Sequence, residues 1–426
     1  MKRVVTIFIV VSLVFISMSL AEATELDSLI KLLIKKGIIT EEEAKEIKKE
    51  ISKEGLSVSE DRTRSSEVSE KRPSPVSISG SIQGEYRWMR HRDIKDPETD
   101  STSDLYLRKV ELGTEISLTD WAEASVVLNS EWIGDEINQG DEKVTVDEAT
   151  LTLMGEGFPL YLVVGKRTQP FGVFENHLVT DPMTQDAYET KRVGITAGYT
   201  GTMGLDLSLT VYKGEEQMNH LFESGLFEDT VSRAGEATDD VGSYIASFSV
   251  EPLDSLTLFG AYLSEPGRGT RNQTVNAGAS FVPPFMEGLR IDAEYMKALK
   301  REEYSGATRQ YKEAVLSVTA AYEFVLRQRK TIGGGLFAER RAHLISEPLE
   351  VALRYEHFDD DGMSNDLDVW TVKDRYSLGA RYSFYNDETS GLNAFVAGEY
   401  RRTEYRTDAD MKDSNDEVYL RVGVDF

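Results

Sequence analysis

The last nine residues of the chain alternate strictly between apolar and polar side chains. The apolar face of this segment carries Val418, Leu420, Val422, Val424 and Phe426. The opposite face carries Tyr419, Arg421, Gly423 and Asp425. A period of two residues indicates a β-strand with one apolar face. Because the same period recurs at 289–296, 349–358 and 375–384, the sequence from Val76 onward predicts antiparallel strands with two chemically different faces.

The length of these segments separates a membrane barrel from a soluble sandwich. Strands of soluble sandwiches usually have about five or six residues, whereas about 9–11 tilted residues cross a bilayer. The alternating segments here reach the longer value, and aromatic residues lie near their ends in EYRWM, EYMK, RYEHF and RYSFY. A mean hydropathy of −0.37 fits a wall that is apolar on one face only. We therefore predict an all-β fold, an antiparallel transmembrane β-barrel over residues 76–426.

Short and long connections alternate along the predicted barrel, as periplasmic turns and external loops do. The short ones are 118–120, 155–159, 200–204, 251–255, 327–330 and 386–391. The long ones cover about 91–103, 134–143, 168–191, 214–240, 265–271, 300–310, 359–372 and 406–415. Seventeen candidate strands result, but termini on one side of a membrane require an even number. We predict sixteen strands by treating part of 327–347 as a turn or as an extension of a neighbour; eighteen is the alternative.

Three segments precede the predicted barrel. Residues 1–23 combine a basic start, an apolar run and an Ala-x-Ala site, which is typical of a secretory signal peptide; an uncleaved membrane helix is the alternative. Residues 24–55 have helical spacing, with a capping box at Thr40 and Glu43, and predict a periplasmic helical hairpin or a coiled-coil segment. Residues 56–75 are polar and Ser-rich and predict a flexible linker. No later run approaches the roughly 20 apolar residues of a spanning helix, so we expect an exported barrel protein.

Composition excludes several classes of function. The formal charge of −26 disfavours nucleic acid, because phosphates would be repelled. The absence of cysteine excludes disulfides, thiolate metal sites and cysteine nucleophiles. None of the five histidines lies in a metal-spaced pair, and no serine lies in a nucleophile elbow. We therefore expect no enzyme activity, no metal and no cofactor.

One stretch resembles a known family. The segment VVGKRTQPFGVFENHLVTDPMTQDAYET is similar to the pattern G-K-x-x-x-P-F-G-x-F followed by D-P-x-T and E-T in LbtU-type siderophore porins. The matching residues are Gly165, Lys166, Pro170, Phe171, Gly172, Phe174, Asp181, Pro182, Thr184, Glu189 and Thr190. The segment LIKKGIITEEEAKEI also resembles these porins and, more loosely, the wider group of phosphate-selective-like outer-membrane porins. The segments VDEATLTL (146–153) and RYEHFDD (354–360) agree with that wider group. The resemblance implies uptake of an iron–siderophore complex through a porin-like barrel.

The candidate site is the long connection 168–191, which mixes aromatic, proline and charged residues of both signs. We predict that it folds into the barrel as a constriction loop, with an ordinary external loop as the alternative. Its expected wall anchors are Phe171, Phe174, Leu178 and Val179. Its expected pore-facing residues are Glu175, His177, Asp181 and Glu189, with Lys166, Arg167, Lys191 and Arg192 opposite them. Such mixed charges would produce a transverse field and select solutes by size.

Five arginines at inward positions of the last strands form a second set. They are Arg354, Arg375, Arg381, Arg401 and Arg421. One interpretation is a basic ladder that guides anions along the lumen. The alternative is a solvated wall in which these arginines pair with glutamates.

The function that we expect is an outer-membrane porin for passive or facilitated uptake of small solutes, and the resemblance implies that an iron–siderophore is one of them. Its expected partners are the lipid bilayer, lipopolysaccharide, the barrel assembly machinery that reads a terminal Phe, and two further copies in a homotrimer. One alternative is a structural barrel that tethers the membrane to periplasmic partners through its helical segment. A barrel enzyme is the other alternative.

Overall fold

The computed structural model describes residues 76–94, 98, 100–136, 143–155, 157–213, 221, 241–267, 270–302, 309–333, 341–387, 389–406 and 411–426. The predicted signal peptide, helical hairpin and linker therefore lie outside the described residues. Within those residues, no helix has the length and apolar character needed to cross a membrane.

Sixteen antiparallel strands make up the described part of the chain, and each strand pairs with its neighbours in sequence. The barrel closes where the first strand pairs with the last. The strands are β1 (Val76–Met89), β2 (Thr102–Thr119), β3 (Ala122–Ile133), β4 (Thr145–Met154), β5 (Leu160–Thr168), β6 (Lys191–Thr200), β7 (Asp206–Lys213), β8 (Val241–Leu253), β9 (Leu256–Pro266), β10 (Arg271–Phe281), β11 (Leu289–Lys300), β12 (Ala314–Gly333), β13 (Arg341–Asp359), β14 (Thr371–Asp387), β15 (Leu392–Arg406) and β16 (Ser414–Asp425). Two short helices, α1 (Met183–Tyr188) and α2 (Met363–Leu367), lie in loops.

The barrel is apolar outside and polar inside. On β13 the side chain of Leu353 is 57% exposed, whereas its neighbour Arg354 is 2% exposed and Glu356 is fully buried. The same inversion holds on β16, where Leu420 and Val422 are exposed. A surface of this kind suits lipid on the outside, because lipid offers no partner for polar groups. The predicted all-β fold, a closed transmembrane barrel, is confirmed.

The predicted number of sixteen strands is confirmed, and so is the extension of a neighbouring strand into 327–347, whereas the short connection predicted at 327–330 is wrong. Strand β12 continues through these residues to Gly333, and Arg327 pairs with Glu347 on β13. A run of charged residues at the end of a long strand has the same composition as a turn, so its pattern cannot distinguish the two. The connection at 282–288, between β10 and β11, is a turn that the sequence did not indicate. All eight long connections fall where the sequence predicts them.

The closure between β1 and β16 depends on a glycine. Gly80 and Phe426 exchange two backbone hydrogen bonds, of 2.8 and 3.0 Å. A Cβ atom at Gly80 would lie 2.6 Å from the ring carbon Cζ of Phe426 and 2.7 Å from the carbonyl oxygen of Glu111. The terminal aromatic ring therefore packs against a position that has no room for a side chain.

Gly80→Ala should weaken closure of the barrel, because the new methyl group overlaps a ring and a backbone oxygen. We expect a loss of about 1–3 kcal/mol in the free energy of unfolding, the usual cost of overpacking. Urea unfolding in detergent micelles measures it. Gly84→Ala is the matched control on the same strand, since nothing lies within 4 Å of its Cβ position. Equal destabilisation of both variants would contradict the role given to Gly80.

Candidate functional site in the barrel interior

The connection between β5 and β6 crosses the barrel. This segment, residues 169–190, is called loop L3 below. Its base continues the β5–β6 hairpin, since Gln169 N donates to Thr190 O at 2.7 Å. At its far end, Arg354 on β13 donates to Thr180 O at 2.8 Å, and a Cβ atom at Gly379 on β14 would meet the side chain of Leu178. In a barrel of sixteen strands, β13 and β5 are eight strands apart, so L3 spans the full diameter.

Wall carboxylates accept the backbone N–H groups of L3. Glu294 on β11 accepts from Val173 N at 2.9 Å and from Phe174 N at 3.3 Å. Glu399 on β15 accepts from Thr180 N at 2.7 Å. Glu356 on β13, which is fully buried, accepts from Met183 N. An irregular segment inside a protein must find such partners, because an unpaired buried N–H group is costly.

Apolar side chains of L3 belong to two buried clusters, and in the smaller one Val179 packs with Phe395 and Ala397 on β15 and Tyr419 on β16. Phe171, Met183 and Tyr188 belong to the larger cluster, in which the Phe171 and Tyr188 rings meet edge to face at 5.9 Å. The wall members of this cluster are Tyr212 on β7, Ile245 on β8, Leu263 on β9, Met296 on β11, Val315 on β12, Phe358 on β13 and Val372 on β14. The interior on the side of β7 to β14 is thus occupied by packed side chains at the level of the loop.

The family-like Pro-Phe-Gly segment has a steric explanation. Gly172 has φ +101°, a value that side chains disfavour, and a Cβ atom there would lie 2.8 Å from Met296 Cε. Phe174 has φ +55° although it is not glycine. These two turns direct Phe171 into the apolar cluster and bring the next two N–H groups to Glu294.

His177 connects L3 to two strands of the wall. Its Nε2 lies 2.9 Å from Asp292 Oδ2 on β11, and its Nδ1 lies 3.1 Å from Glu350 Oε2 on β13. Burial lowers the pKa of His177, but the hydrogen bonds with both carboxylates outweigh burial and raise the pKa to about 9. At neutral pH the imidazolium therefore donates to both carboxylates. Arg290 is also close, with Nε 3.3 Å from Asp292 Oδ1.

The remaining predicted acids of the loop have partners other than those expected. Glu175 pairs with Arg290 at 2.9 Å. Asp181 lies 3.7 Å from Arg108 on β2. Burial raises the pKa of Asp181, and its Arg108 neighbour opposes that rise. Glu189 accepts a hydrogen bond from Thr168 at 3.2 Å, at the base of the loop.

The four basic residues at the base of L3 divide between the two faces of the wall. In the register of β5 and β6, Lys166 lies opposite Val193, whose side chain is exposed on the outward face. Lys191 lies on the same face and forms an ion pair with Asp147 at 2.9 Å. Strand alternation therefore removes both lysines from the predicted pore lining. Arg167 and Arg192 pair across β5 and β6 on the inward face.

The five predicted lumenal arginines each lie beside a carboxylate. Arg354 is 3.3 Å from Glu356 and also donates to Asp181 O at 3.1 Å, so it holds the far end of L3. The other pairs are Arg375 with Asp186 at 2.8 Å, Arg381 with Asp425 at 3.0 Å, Arg401 with Glu417 at 2.6 Å and Arg421 with Glu85 at 2.6 Å.

Sequence reasoning missed the wall carboxylates that accept the N–H groups of L3, and it missed Arg108 on β2. Glu294, Glu356 and Glu399 each occupy an inward position, so strand parity was the available signal. Arg108 had no such signal, because a β-bulge changes the parity of β2 between Gln83 and Gly84 of its partner strand.

Other titratable residues are accounted for by ordinary contacts. Within the described residues, no group of three or more His, Asp or Glu side chains is arranged to hold a metal ion. His91 binds Asn415 through its backbone, and His357 pairs with Asp374 on the outward face. In the acidic loop after β13, Asp360 accepts the backbone N–H groups of Gly362 and Ser364.

Comparisons with known proteins support the fold. No protein-family model matches the sequence, and no curated protein matches it. The barrel is similar to the anion-selective porin from Comamonas acidovorans (TM-score 0.54, 12% identity, 82% of this chain and 99% of that chain). It is also similar to the outer-membrane channel DcaP of Acinetobacter baumannii (TM-score 0.54, 12% identity, 82% and 97%) and to Salmonella typhi OmpF (TM-score 0.53, 14% identity, 82% and 97%). The porin-type fold and the apolar exterior together place the protein in the bacterial outer membrane.

Glu294→Gln should loosen the first half of L3, because one of the two acceptor oxygens becomes a donor. Loss of a buried acceptor costs about 1–3 kcal/mol, so amide exchange at Val173 and Phe174 should accelerate about 10- to 100-fold. Hydrogen–deuterium exchange measures it. Glu287→Gln, in the exposed turn before β11, is the control and should leave both amides protected. Unchanged protection in Glu294→Gln would contradict the proposed anchor.

The His177 contact should stabilise the barrel in a pH-dependent way. The pKa rises from about 6.5 in the unfolded chain to about 9 in the folded one. Its contribution is therefore complete below about pH 6.5 and is lost as the pH rises through about 9. Urea unfolding should show wild type more stable than His177→Gln at pH 6, with a smaller difference at pH 10. A difference that is equal at both pH values would contradict this assignment.

Proposed function

We propose that the protein is an outer-membrane porin, a water-filled channel for passive or facilitated diffusion of small solutes, with residues 168–191 as its constriction. The observation that carries the proposal is the path of L3 across the full diameter, from β5 to β13. A barrel of this size is wide enough to hold water, so a segment across its interior reduces the cross-section.

The buried apolar side chains around L3 determine which part of the barrel interior stays open to solutes. Side chains of L3 pack against β7 to β14 in the larger cluster and against β15 and β16 in the smaller one, so the passage runs between L3 and the strands from β1 to β5. The wall beside this passage carries Arg108 on β2 and Arg167 on β5, while Asp181 lies on the loop. Opposite charges on the two borders create a field across the passage, as the sequence predicts.

The solute of this channel is proposed from the sequence resemblance. The Pro-Phe-Gly and Asp-Pro segments of L3 are similar to those of LbtU-type siderophore porins, which supports an iron–siderophore as one solute. Liposomes that hold the purified barrel should take up a ferric siderophore faster than empty liposomes; equal rates would remove the siderophore and leave the porin.

The partners are proposed on the same basis. The outward lysines Lys166 and Lys191, near the external end of the wall, suit contact with lipopolysaccharide phosphates. The alternating last strand that ends in Phe426 suits the barrel assembly machinery. A homotrimer remains a prediction, and cross-linking in outer membranes tests it.

Replacement of residues 173–188 by a short Gly-Ser segment should raise the single-channel conductance. Because L3 narrows the passage in the proposal, its removal should raise the conductance by roughly twofold or more. Planar bilayer recording measures it. The control is a Gly-Ser replacement of residues 283–287, in the turn at the other end of the barrel, which should leave conductance unchanged. An unaltered conductance without L3 would show that the loop does not narrow the channel, and a folded wild-type barrel without any conductance would contradict the porin.

A further inference from the structure

A bulge in β2 directs Arg108 toward L3. Gln83 on β1 pairs with Lys109, but the next residue, Gly84, pairs with Leu107, so Arg108 is the extra residue between them. A bulge of this kind turns an additional side chain out of the regular alternation. Here the guanidinium extends to 3.7 Å from Asp181 on L3. Arg108 therefore lies on the passage border that faces the loop.

Trp132 is strained at the same place. It lies opposite Arg108 on β3 and has φ +56°, a conformation that is unfavourable for a bulky residue. Arg108 Cζ is 4.1 Å from the centre of the Trp132 ring. The centres of the Tyr106 and Trp132 rings are 5.5 Å apart. Strain of this kind persists only where the surroundings impose it, and it often marks a functional site. In this case it holds the indole beneath the guanidinium.

The guanidinium of Arg108 is held differently from those of Arg354 and Arg421. Its Nη1 is buried and makes no hydrogen bond within the described residues, although Glu131 Oε1 lies 3.2 Å away. Its Nη2 reaches Asp181 only at ion-pair distance. By contrast, Arg354 donates four hydrogen bonds, and Arg421 donates to Glu85 at 2.7 Å. Arg108 is thus oriented by the Trp132 ring and by Glu131, and its Nη2 group meets Asp181 as an ion pair at 3.7 Å.

We propose that Arg108, on its Trp132 platform, is a transit binding site for solutes that carry a carboxylate. This inference rests on the proposed porin function and gives its passage a solute class. A planar guanidinium fork matches the two oxygens of a carboxylate, and stacking on an indole fixes the plane of the fork in advance. The distance of 3.7 Å to Asp181 leaves that ion pair easy to exchange for a solute carboxylate. Binding at such a site is brief, because release must remain fast for permeation.

Single-channel recording with benzoate and its neutral analogue benzamide tests the proposal. Benzoate should interrupt the current through the wild-type channel, whereas benzamide should do so at least about tenfold more weakly, because a charge-assisted hydrogen bond contributes at least about that factor. Arg108→Gln should reduce the benzoate effect by about tenfold while the channel still conducts. Trp132→Phe retains an aromatic ring and should give an intermediate effect.

Lys109→Gln is the matched control, since it removes one positive charge from the neighbouring position. Lys109 pairs with Glu111 at 2.7 Å and has no part in the proposed site. It should leave the benzoate effect within about twofold of wild type. Equal interruption by benzamide and benzoate, no benzoate effect on the wild type, or a full benzoate effect in Arg108→Gln would each overturn the proposal. A folded barrel without conductance would instead contradict the porin itself.

Discussion

The structure depends on one constraint, the need to satisfy every backbone polar group where lipid surrounds the chain. Closure of β1 on β16 removes the two free edges that an open sheet would expose to hydrocarbon. The outer face can then be apolar, which moves arginines and glutamates to the inward face. This inversion of the usual arrangement explains why the described buried residues include Glu356, Arg354 and Thr403. The same inward carboxylates become available to any segment that enters the lumen.

Loop L3 uses those carboxylates as its backbone partners. An irregular segment across a barrel has no neighbouring strand to pair with, so side chains on the wall must accept its N–H groups. Glu294, Glu356 and Glu399 do so from three strands, and His177 is held by two further carboxylates. Part of the strongly acidic composition is thereby explained by loop anchoring. A negative net charge in this chain is therefore weak support for attraction of cations into the channel.

The alternation of inward and outward residues along each strand made the barrel predictable from sequence. The features that could not be predicted are those that this alternation does not determine. The apolar faces of 349–358 and 418–426 predicted the outward surface, and the position of Arg354 in the lumen followed from them. The same alternation, continued to the ends of β5 and β6 next to L3, would have placed Lys166 and Lys191 outside the lumen. The turn at 327–330 failed because charged residues also end long strands beyond the apolar belt. Contacts between L3 and distant strands, such as Glu294 with Val173, depend on the fold of the whole barrel and leave no local signal.

The position of Arg108 shows why bulges matter in such a barrel. In a regular strand every second side chain points inward. Within the described part of the lumen, most inward arginines are fixed by hydrogen bonds to adjacent carboxylates. A charged group that is to meet a solute must be held in place without being saturated. The bulge at Arg108 places an additional guanidinium on the inward face, and the strained Trp132 orients it by stacking and not by hydrogen bonding. In the proposed site, irregularity in the strand pairing thus supplies the guanidinium whose ion pair with Asp181 a solute carboxylate would replace.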